Sequence, residues 1–355
     1  MNRRRLKKAI KRISGLPLNK YLLLYLGNKV RQFGFEAVNS NHVAWPSNIM
    51  LELSAACNLT CTTCPREYEY GKNMDQGIMD MSLAKKIIDE AWPYLDSVGL
   101  TGMGETLLYN RVEEITGYIK SKNKGIIISI STNAQVPDFK NRIAQLVNKA
   151  DTIQISADGL EEIYESIRRK AFFKKFDENI KFASSLCRNS GTDLMINMVV
   201  TSENYHQMAD MIRYAAENGI AYLDFTQFNL AAVTGFDTSY YEFYRSEEFL
   251  KAFSDMEVTS GRYPEVEVTA KSFDIRGLNG FRNCPFPWGH FYITWNGYLV
   301  PCCAKPFPKE MNFGNIENKS LIELLNNTGF INFRKMWVED KTPEFCNRCH
   351  FTSLH

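Results

Sequence analysis

The chain lacks any apolar run approaching the roughly 20 residues that a membrane-spanning helix needs. Leu22-Leu23-Leu24 lies in a run too short for that, and no small-residue cleavage site follows it, which argues against a secretory signal peptide. An excess of charge of one sign is also missing. Net charge is only +2, from 42 basic and 40 acidic residues, so no global field draws nucleic acid to the molecule. There is no low-complexity tract, and a composition of 45% hydrophobic and 23% charged residues is that of an ordinary globular protein. Without a secretion signal, clustered cysteines read as metal ligands in a reducing cytoplasm rather than as a disulfide framework. At 355 residues the chain can bury a full core and suits one large domain plus a smaller one.

What is present is uneven. The N-terminal segment carries ten Lys/Arg residues before its first acid, Glu36. Leu6, Ile10 and Ile13 share one helical face among these basic residues. Such a helix either touches anionic lipid in a weak peripheral contact or packs, solvated, on the main domain; the narrow apolar face favours the second. From residue 48 onward six β-type runs follow: 48–54, 97–102, 125–131, 151–156, 193–200 and 221–228. Amphipathic helical patterns at 82–95, 109–122, 138–149, 174–189 and 203–218 separate them. This is a parallel βα array, expected to be covered on both faces and to close or partly close into a barrel with its ligands at the strand C-termini. The stretch "SYYEFYRSEEFLKAFSDM" reads as helical and aromatic. Further on, Asn296-Gly297 between two β-type runs signals a two-residue hairpin turn.

Directly after the first run, "CNLTCTTCP" places Cys57, Cys61 and Cys64 in one loop. Three thiolates are one short of a tetrahedral zinc site, although zinc could recruit a distant fourth ligand. A [4Fe–4S] cluster takes one thiolate per iron, so three would leave one iron open.

This C-x-x-x-C-x-x-C after the first strand of a βα array resembles the radical S-adenosylmethionine (radical SAM) superfamily. The resemblance implies that the open iron is chelated by S-adenosylmethionine, whose reductive cleavage gives a 5′-deoxyadenosyl radical that abstracts a substrate hydrogen. Gly102-Met103-Gly104-Glu105 resembles the family's Gly-Gly-Glu segment, with the glycines letting backbone approach the ligand and Glu105 suiting its ammonium. Ser131-Thr132-Asn133 resembles the ribose-contacting Thr-Asn-Gly, and Ser156 the Ser of Ser-x-Asp-Gly. Cofactor contacts are therefore expected from Gly102, Gly104, Glu105, Ser131, Asn133 and Ser156. The chain departs from the family at Thr63, where an aromatic residue is common, at Thr106 and at Ala134. The last two are tolerable if their φ is negative.

The C-terminal cysteines resemble a short SPASM-type extension. By that resemblance Cys284, Cys302, Cys346 and Cys349 hold one auxiliary [4Fe–4S] cluster, with zinc as the alternative occupant. A fully ligated cluster suits electron transfer. Cys303 could replace Cys302 as ligand, or it could donate a hydrogen atom to a substrate radical, as could Cys187. Cys187 in a helical stretch also reads as a buried inert thiol.

The expected architecture is thus α/β: a basic helical extension (1–47), a partial (βα)6 TIM-like barrel (48–235), a connecting helical region (236–283) and a small Fe–S domain (284–355). The expected activity is radical SAM oxidation or epimerisation of a small polar substrate such as a sugar or aminocyclitol, with the auxiliary cluster accepting an electron. The alternative is a peptide maturase forming a thioether or an epimerised residue; the short segment before the first strand counts against a separate leader-binding domain. A non-catalytic Fe–S or zinc scaffold would not need Gly104, Glu105 and Asn133 at strand ends. A flavodoxin- or ferredoxin-like protein is the expected reductant.

Overall fold

The strand pleat puts Ile49 and Leu51 on the buried face of the first strand and Asn48 and Met50 on the half-buried one, and this parity recurs along the chain. The computed structural model describes residues 20–273, 284 and 286–353, which form two compact units. The N-terminal pattern of Leu6, Ile10 and Ile13 lies outside the described residues.

Of the described residues, the first unit takes 20–56, 75–129 and those in 284–345. It contains helix α1 (Lys20–Ala37), strand β1 (Asn48–Leu51), α2 (Met81–Ala91), β2 (Ser97–Leu100) and α3 (Val112–Lys122). Asp80 caps α2 by accepting the Ser82 N–H at 2.7 Å. Leu83, Ala84, Ile87, Ile88 and Ala91 form its buried stripe. Strand β1 runs parallel to β2, with Ile49 opposite Val98 and Leu51 opposite Leu100. On its other edge it runs parallel to β8 (His290–Ile293), which turns back antiparallel into β9 (Leu299–Val300). The turn between them is not the two-residue one that Asn296-Gly297 suggests. Gly297 N–H bonds Thr294 O, Thr294 N–H bonds Tyr298 O, and only Gly297 has positive φ, at 84°. Asn296 remains right-handed, so the loop is a three-residue turn closed by a left-handed glycine.

Of the described residues, the second unit takes 57–74, 130–273 and 346–353. Its sheet is parallel throughout, in the order β4 (Thr152–Ser156), β5 (Asp193–Val200), β6 (Tyr222–Gln227), β7 (Glu267–Thr269). Strand β3 (Ile127–Thr132) contributes residues to both units. The helices are α4 (Phe139–Leu146), α5 (Glu161–Ile167), α6 (Phe173–Cys187), α7 (Met208–Glu217) and α8 (Glu247–Arg262). The aromatic stretch is two elements rather than one. A 3₁₀ segment spans Thr238–Arg245, and Ser246 then caps α8 through the Phe249 N–H.

Both faces of the sheet were expected to be covered, and only one is. Ile153, Ile155, Ile196, Met198 and Phe225 are fully buried on one face. On the other, Ser156, Asn197, Asp224 and Thr269 stay partly exposed. Right-handed crossovers return each helix to the same side, which leaves the second face of such a sheet open to a ligand.

Candidate functional site

The loop of Cys57, Cys61 and Cys64 belongs to the second unit, where main-chain hydrogen bonds fasten it down. Thr60 N–H donates to Arg169 O at 3.3 Å and Thr62 N–H to Ile167 O at 2.9 Å. Residues 167–169, the C-terminus of α5, thus splint the loop between its first and third cysteines. The splint is itself anchored by charge. Arg168 Nη2 lies 2.9 Å from Asp158 Oδ2, and the two side chains are 10% and 1% exposed. That contact is at ion-pair distance but off the hydrogen-bond angle, and Arg168 Nε is buried with no hydrogen-bond partner. Asp158 Oδ1 accepts the Val199 N–H at 2.9 Å.

Burial pushes the Cys61 thiol up to about 12; Arg168 opposes the shift, while Cys64, Asp158 and Cys57 add to it. Burial likewise raises Cys64 to about 11, against the lowering effect of the Arg66 main chain. Free thiolates are therefore disfavoured at Cys61 and Cys64, and bound iron would take the place of their protons. Thr62 Oγ1, between the second and third cysteines, is also buried without a partner. Two buried donors lacking acceptors beside three thiols suit an anionic iron–sulfur group. Among the described residues no three His, Cys, Asp or Glu side chains converge closely enough for a single metal ion. A four-iron cube takes one thiolate per iron and spreads its ligands more widely.

Asn133, at the end of β3, reaches this loop. Its Nδ2 donates to Asn58 Oδ1 at 2.9 Å and to Cys57 Sγ at 3.8 Å. Its Oδ1 accepts the Gln135 N–H at 2.8 Å, which fixes the amide's orientation. That turn requires Ala134 to be left-handed, and its φ is 58°, so the negative φ under which alanine would be readily tolerated is not met. An alanine in this conformation costs about 1–2 kcal/mol. Ala134→Gly should be close to neutral, because strain relief is offset by the lost buried methyl, about 0.8 kcal/mol, and by glycine's chain entropy. Ala134→Val should lower stability by about 2 kcal/mol or more, since a β-branched residue adds strain and overpacks a fully buried position. Urea unfolding midpoints check both.

The Gly102–Glu105 segment lies in the first unit, where its glycines are closely packed. A Cβ on Gly104 would meet Ser54 O at 2.3 Å and Ala56 O at 2.4 Å; one on Gly102 would meet Glu52 Cγ at 2.5 Å. Protein packed against both places therefore requires glycine there. Glu105 is 3% exposed and caps the 3₁₀ turn Thr106–Leu108 by accepting the Leu107 N–H at 2.9 Å. Thr106 begins that turn without difficulty. Glu52 went unnoticed in the sequence. It is 1% exposed and accepts from Met103 N–H (2.9 Å), Tyr292 O–H (2.9 Å) and Trp295 N–H (3.2 Å). It therefore ties the end of β1 to both the Gly102–Glu105 turn and the β8–β9 hairpin. A lone acid inside the apolar run "NIMLELS" was the available signal. Burial holds the Tyr292 hydroxyl well above its usual range, and Glu52 and then Cys303 raise it further, so it stays a donor.

Ser156 opens a polar row that sequence reasoning missed beyond its first member. Register places Ser156 opposite Asn197, Asn197 opposite Asp224 and Asp224 opposite Thr269, across β4 to β7 on the half-exposed face. Asp224 Oδ1 accepts from the Thr269 hydroxyl, and Asn197 Nδ2 donates to Asp224 O at 3.3 Å. Burial raises the Asp224 carboxyl, with Thr269 and Lys271 opposing. Cys187 is not near this row. It ends α6, buried, and burial with a smaller effect of Asp193, the first residue of β5, lifts its thiol to about 11. Asp193 marks the N-terminal end of the strands, opposite Asn133 and Ser156, so Cys187 is corrected from a hydrogen-donor candidate to a buried small hydrophobe. Ser131 lies on the half-exposed parity of β3.

Of the C-terminal cysteines, Cys284, Cys302 and Cys303 fall in the first unit and Cys346 and Cys349 in the second. Burial raises Cys349, opposed by the Phe351 main chain and by Asn229, whose Nδ2 donates to its sulfur at 3.4 Å. Tyr241 O–H donates to Arg348 O at 2.9 Å, and Arg348 Nη2 donates to Val233 O and Phe236 O.

Comparison with known proteins accounts for both cysteine sets. Residues 51–215 match the model of the radical SAM superfamily, and residues 284–350 match SPASM, an iron–sulfur cluster-binding domain. The tungsten-containing aldehyde ferredoxin oxidoreductase cofactor-modifying protein of Pyrococcus furiosus is 23% identical over 310 residues, 81% of this chain and 82% of that one. The antilisterial bacteriocin subtilosin biosynthesis protein AlbA of Bacillus subtilis is 23% identical over 338 residues, 92% of this chain and 69% of that one. The crystal structure of Streptococcus suis SuiB bound to precursor peptide SuiA superposes with a TM-score of 0.63 at 17% identity, covering 92% of this chain and 74% of that one. The fold is therefore the α/β radical SAM partial barrel, and a [4Fe–4S] cluster, S-adenosylmethionine and an auxiliary iron–sulfur cluster come with its two domains. The chain belongs to the radical SAM superfamily and carries a C-terminal SPASM domain.

Proposed function

We propose that this protein is a peptide-modifying radical SAM maturase. The observation that carries the proposal is the likeness, over 92% of the chain, to an enzyme solved with its precursor peptide. Similarity to a bacteriocin biosynthesis protein over the same share supports it. A small sugar or aminocyclitol, the substrate class first expected from the sequence, has no comparable support.

In this reading Cys57, Cys61 and Cys64 hold the cofactor-binding cluster, and Asn133 steadies the loop while turning an amide donor to Cys57. Glu105, Ser131, Asn133 and Ser156 contact S-adenosylmethionine, and Gly102 and Gly104 shape the turn that carries Glu105. Bound at that loop, the reduced cluster and S-adenosylmethionine supply a 5′-deoxyadenosyl radical that abstracts a hydrogen from the substrate. Asn197, Asp224 and Thr269 offer polar groups for the peptide main chain or a side chain. Cys284, Cys302, Cys346 and Cys349 hold the auxiliary cluster that takes up an electron, and Cys303 is the candidate hydrogen donor. A flavodoxin- or ferredoxin-like protein supplies the reducing electron.

The test is anaerobic incubation of reconstituted protein with dithionite, S-adenosylmethionine and the small peptides encoded beside its gene. Mass spectrometry in deuterated water should find one peptide that has lost two hydrogens through a cross-link, or gained deuterium at an epimerised carbon. Unchanged peptides alongside oxidation of a sugar or aminocyclitol, coupled to 5′-deoxyadenosine formation, would overturn the proposal.

A further inference from the structure

Helix α1 (Lys20–Ala37) is docked the wrong way round for a soluble protein. The face turned toward its own unit carries the helix's hydrogen-bonded polar residues, beside Tyr21, whose ring meets Trp92 at 4.5 Å. Tyr25 O–H donates to Asp96 at 2.7 Å and Lys29 Nζ to the same carboxylate at 2.6 Å. Asn28 exchanges two hydrogen bonds with the Trp45 main chain, at 3.0 and 3.1 Å, and Gln32 Nε2 donates to Trp45 O at 2.7 Å. The outward face is the apolar one. Leu23, Val30 and Phe33 are 73%, 71% and 72% exposed, with Leu26 at 47% between them. These four fall at i, i+3, i+7 and i+10, one continuous stripe. Gly27 and Gly34 extend the stripe, and a Cβ on either would meet nothing within 4 Å. No charge interrupts it; Lys20 and Arg31 flank one edge. Normal amphipathic packing would put these leucines inside and the asparagine, lysine and glutamine outside.

Something must therefore cover the stripe, and charge selects what. Ten Lys/Arg residues precede Glu36, seven of them in the 19 residues directly before α1. A second copy docked by two-fold symmetry on the same stripe would bring two such sets together, and like charges oppose that contact. An anionic lipid surface satisfies the apolar stripe and the basic residues at once. We propose that α1 with its basic flank is a membrane-surface anchor, lying in the headgroup layer of anionic bilayers. Among the described residues no helix is long and apolar enough to cross a membrane, so the contact is peripheral.

The experiment is flotation of the reconstituted full-length enzyme, under anaerobic conditions, with phosphatidylcholine vesicles that contain or lack phosphatidylglycerol. Binding should be at least tenfold stronger on the anionic vesicles and should weaken as salt rises. The double variant Leu23→Glu/Val30→Glu should lose at least tenfold while keeping wild-type thermal stability and S-adenosylmethionine cleavage, because both side chains are exposed. Replacing Arg3, Arg4 and Arg5 by serine should weaken anionic binding without touching the stripe. Equal binding to neutral and anionic vesicles, or none to either, overturns the proposal. So does a dimer in sedimentation that the double variant dissolves while vesicle binding is absent, or binding of the precursor peptide, without vesicle binding, that the same variant abolishes.

Discussion

Protein carrying Cys57→Ala should form 5′-deoxyadenosine at less than about 1% of the wild-type rate, a loss of more than about 2.7 kcal/mol of transition-state stabilisation. The sulfur of Cys57 is served by two donors, Leu59 N–H at 3.5 Å and Asn133 Nδ2 at 3.8 Å. Neither finds an acceptor on alanine, and one iron loses its protein ligand. The same loop remains splinted to residues 167–169, so the fold should survive and the loss should be local. Iron analysis separates the two sites: about eight atoms per wild-type chain and about four in the variant, those of the auxiliary cluster. Cys346→Ala makes the converse case, retaining measurable cleavage while net peptide modification stops. Full 5′-deoxyadenosine formation by Cys57→Ala would remove the loop from the cofactor site altogether. Full turnover by Cys346→Ala would show that no electron needs to pass through the second set.

Most of this was legible where chemistry and periodicity are local. All six β-runs from 48 to 228 became strands, because they are short and bury alternate side chains, a period-two pattern that suits a strand and not a helix. The cysteine spacings pointed to the family before any coordinates. What escaped depends on partners distant in sequence. The packing of Glu52 and the Ser54–Ala56 main chain against the glycines of Gly102–Glu105 is one example. In Ser-Ala-Asp-Gly attention fell on Ser156, whereas Asp158 makes the structural contacts, to Val199 and Arg168. Cys187 could not be assigned to an end of the strands from its helix pattern alone. The outward stripe of α1 escaped for a similar reason. A helical wheel shows that a face is apolar, not which face is docked, and the rule that apolar faces turn inward fails when hydrogen bonds to Trp45 and Asp96 hold the polar one. Short, exposed β7 offered too little pattern to be seen.

Arg168→Met should destabilise the protein by about 3–5 kcal/mol, the cost of stranding one member of a buried ion pair. Asp158 would keep a single donor, the Val199 N–H, for a carboxylate that is 1% exposed. Burial alone pulls the Arg168 guanidinium toward neutrality, but the Asp158 carboxylate 2.9 Å away holds it above the ordinary arginine range, so it is a firmly charged partner. The double variant Arg168→Met/Asp158→Asn should recover much of the loss, because a neutral amide oxygen still accepts from Val199 and no uncompensated charge is left buried. Urea unfolding of the two variants and of Asp158→Asn completes a cycle whose coupling should exceed about 1 kcal/mol. A merely space-filling arginine would give additive losses instead. Because residues 167–169 carry the main-chain acceptors for Thr60 and Thr62, the damage should reach the cysteine loop before the rest of the unit unfolds. Hydrogen exchange at those two amides should therefore accelerate by more in Arg168→Met than exchange in the central strand β5. Uniform acceleration across the unit would mean that Arg168 supports global stability and not the loop.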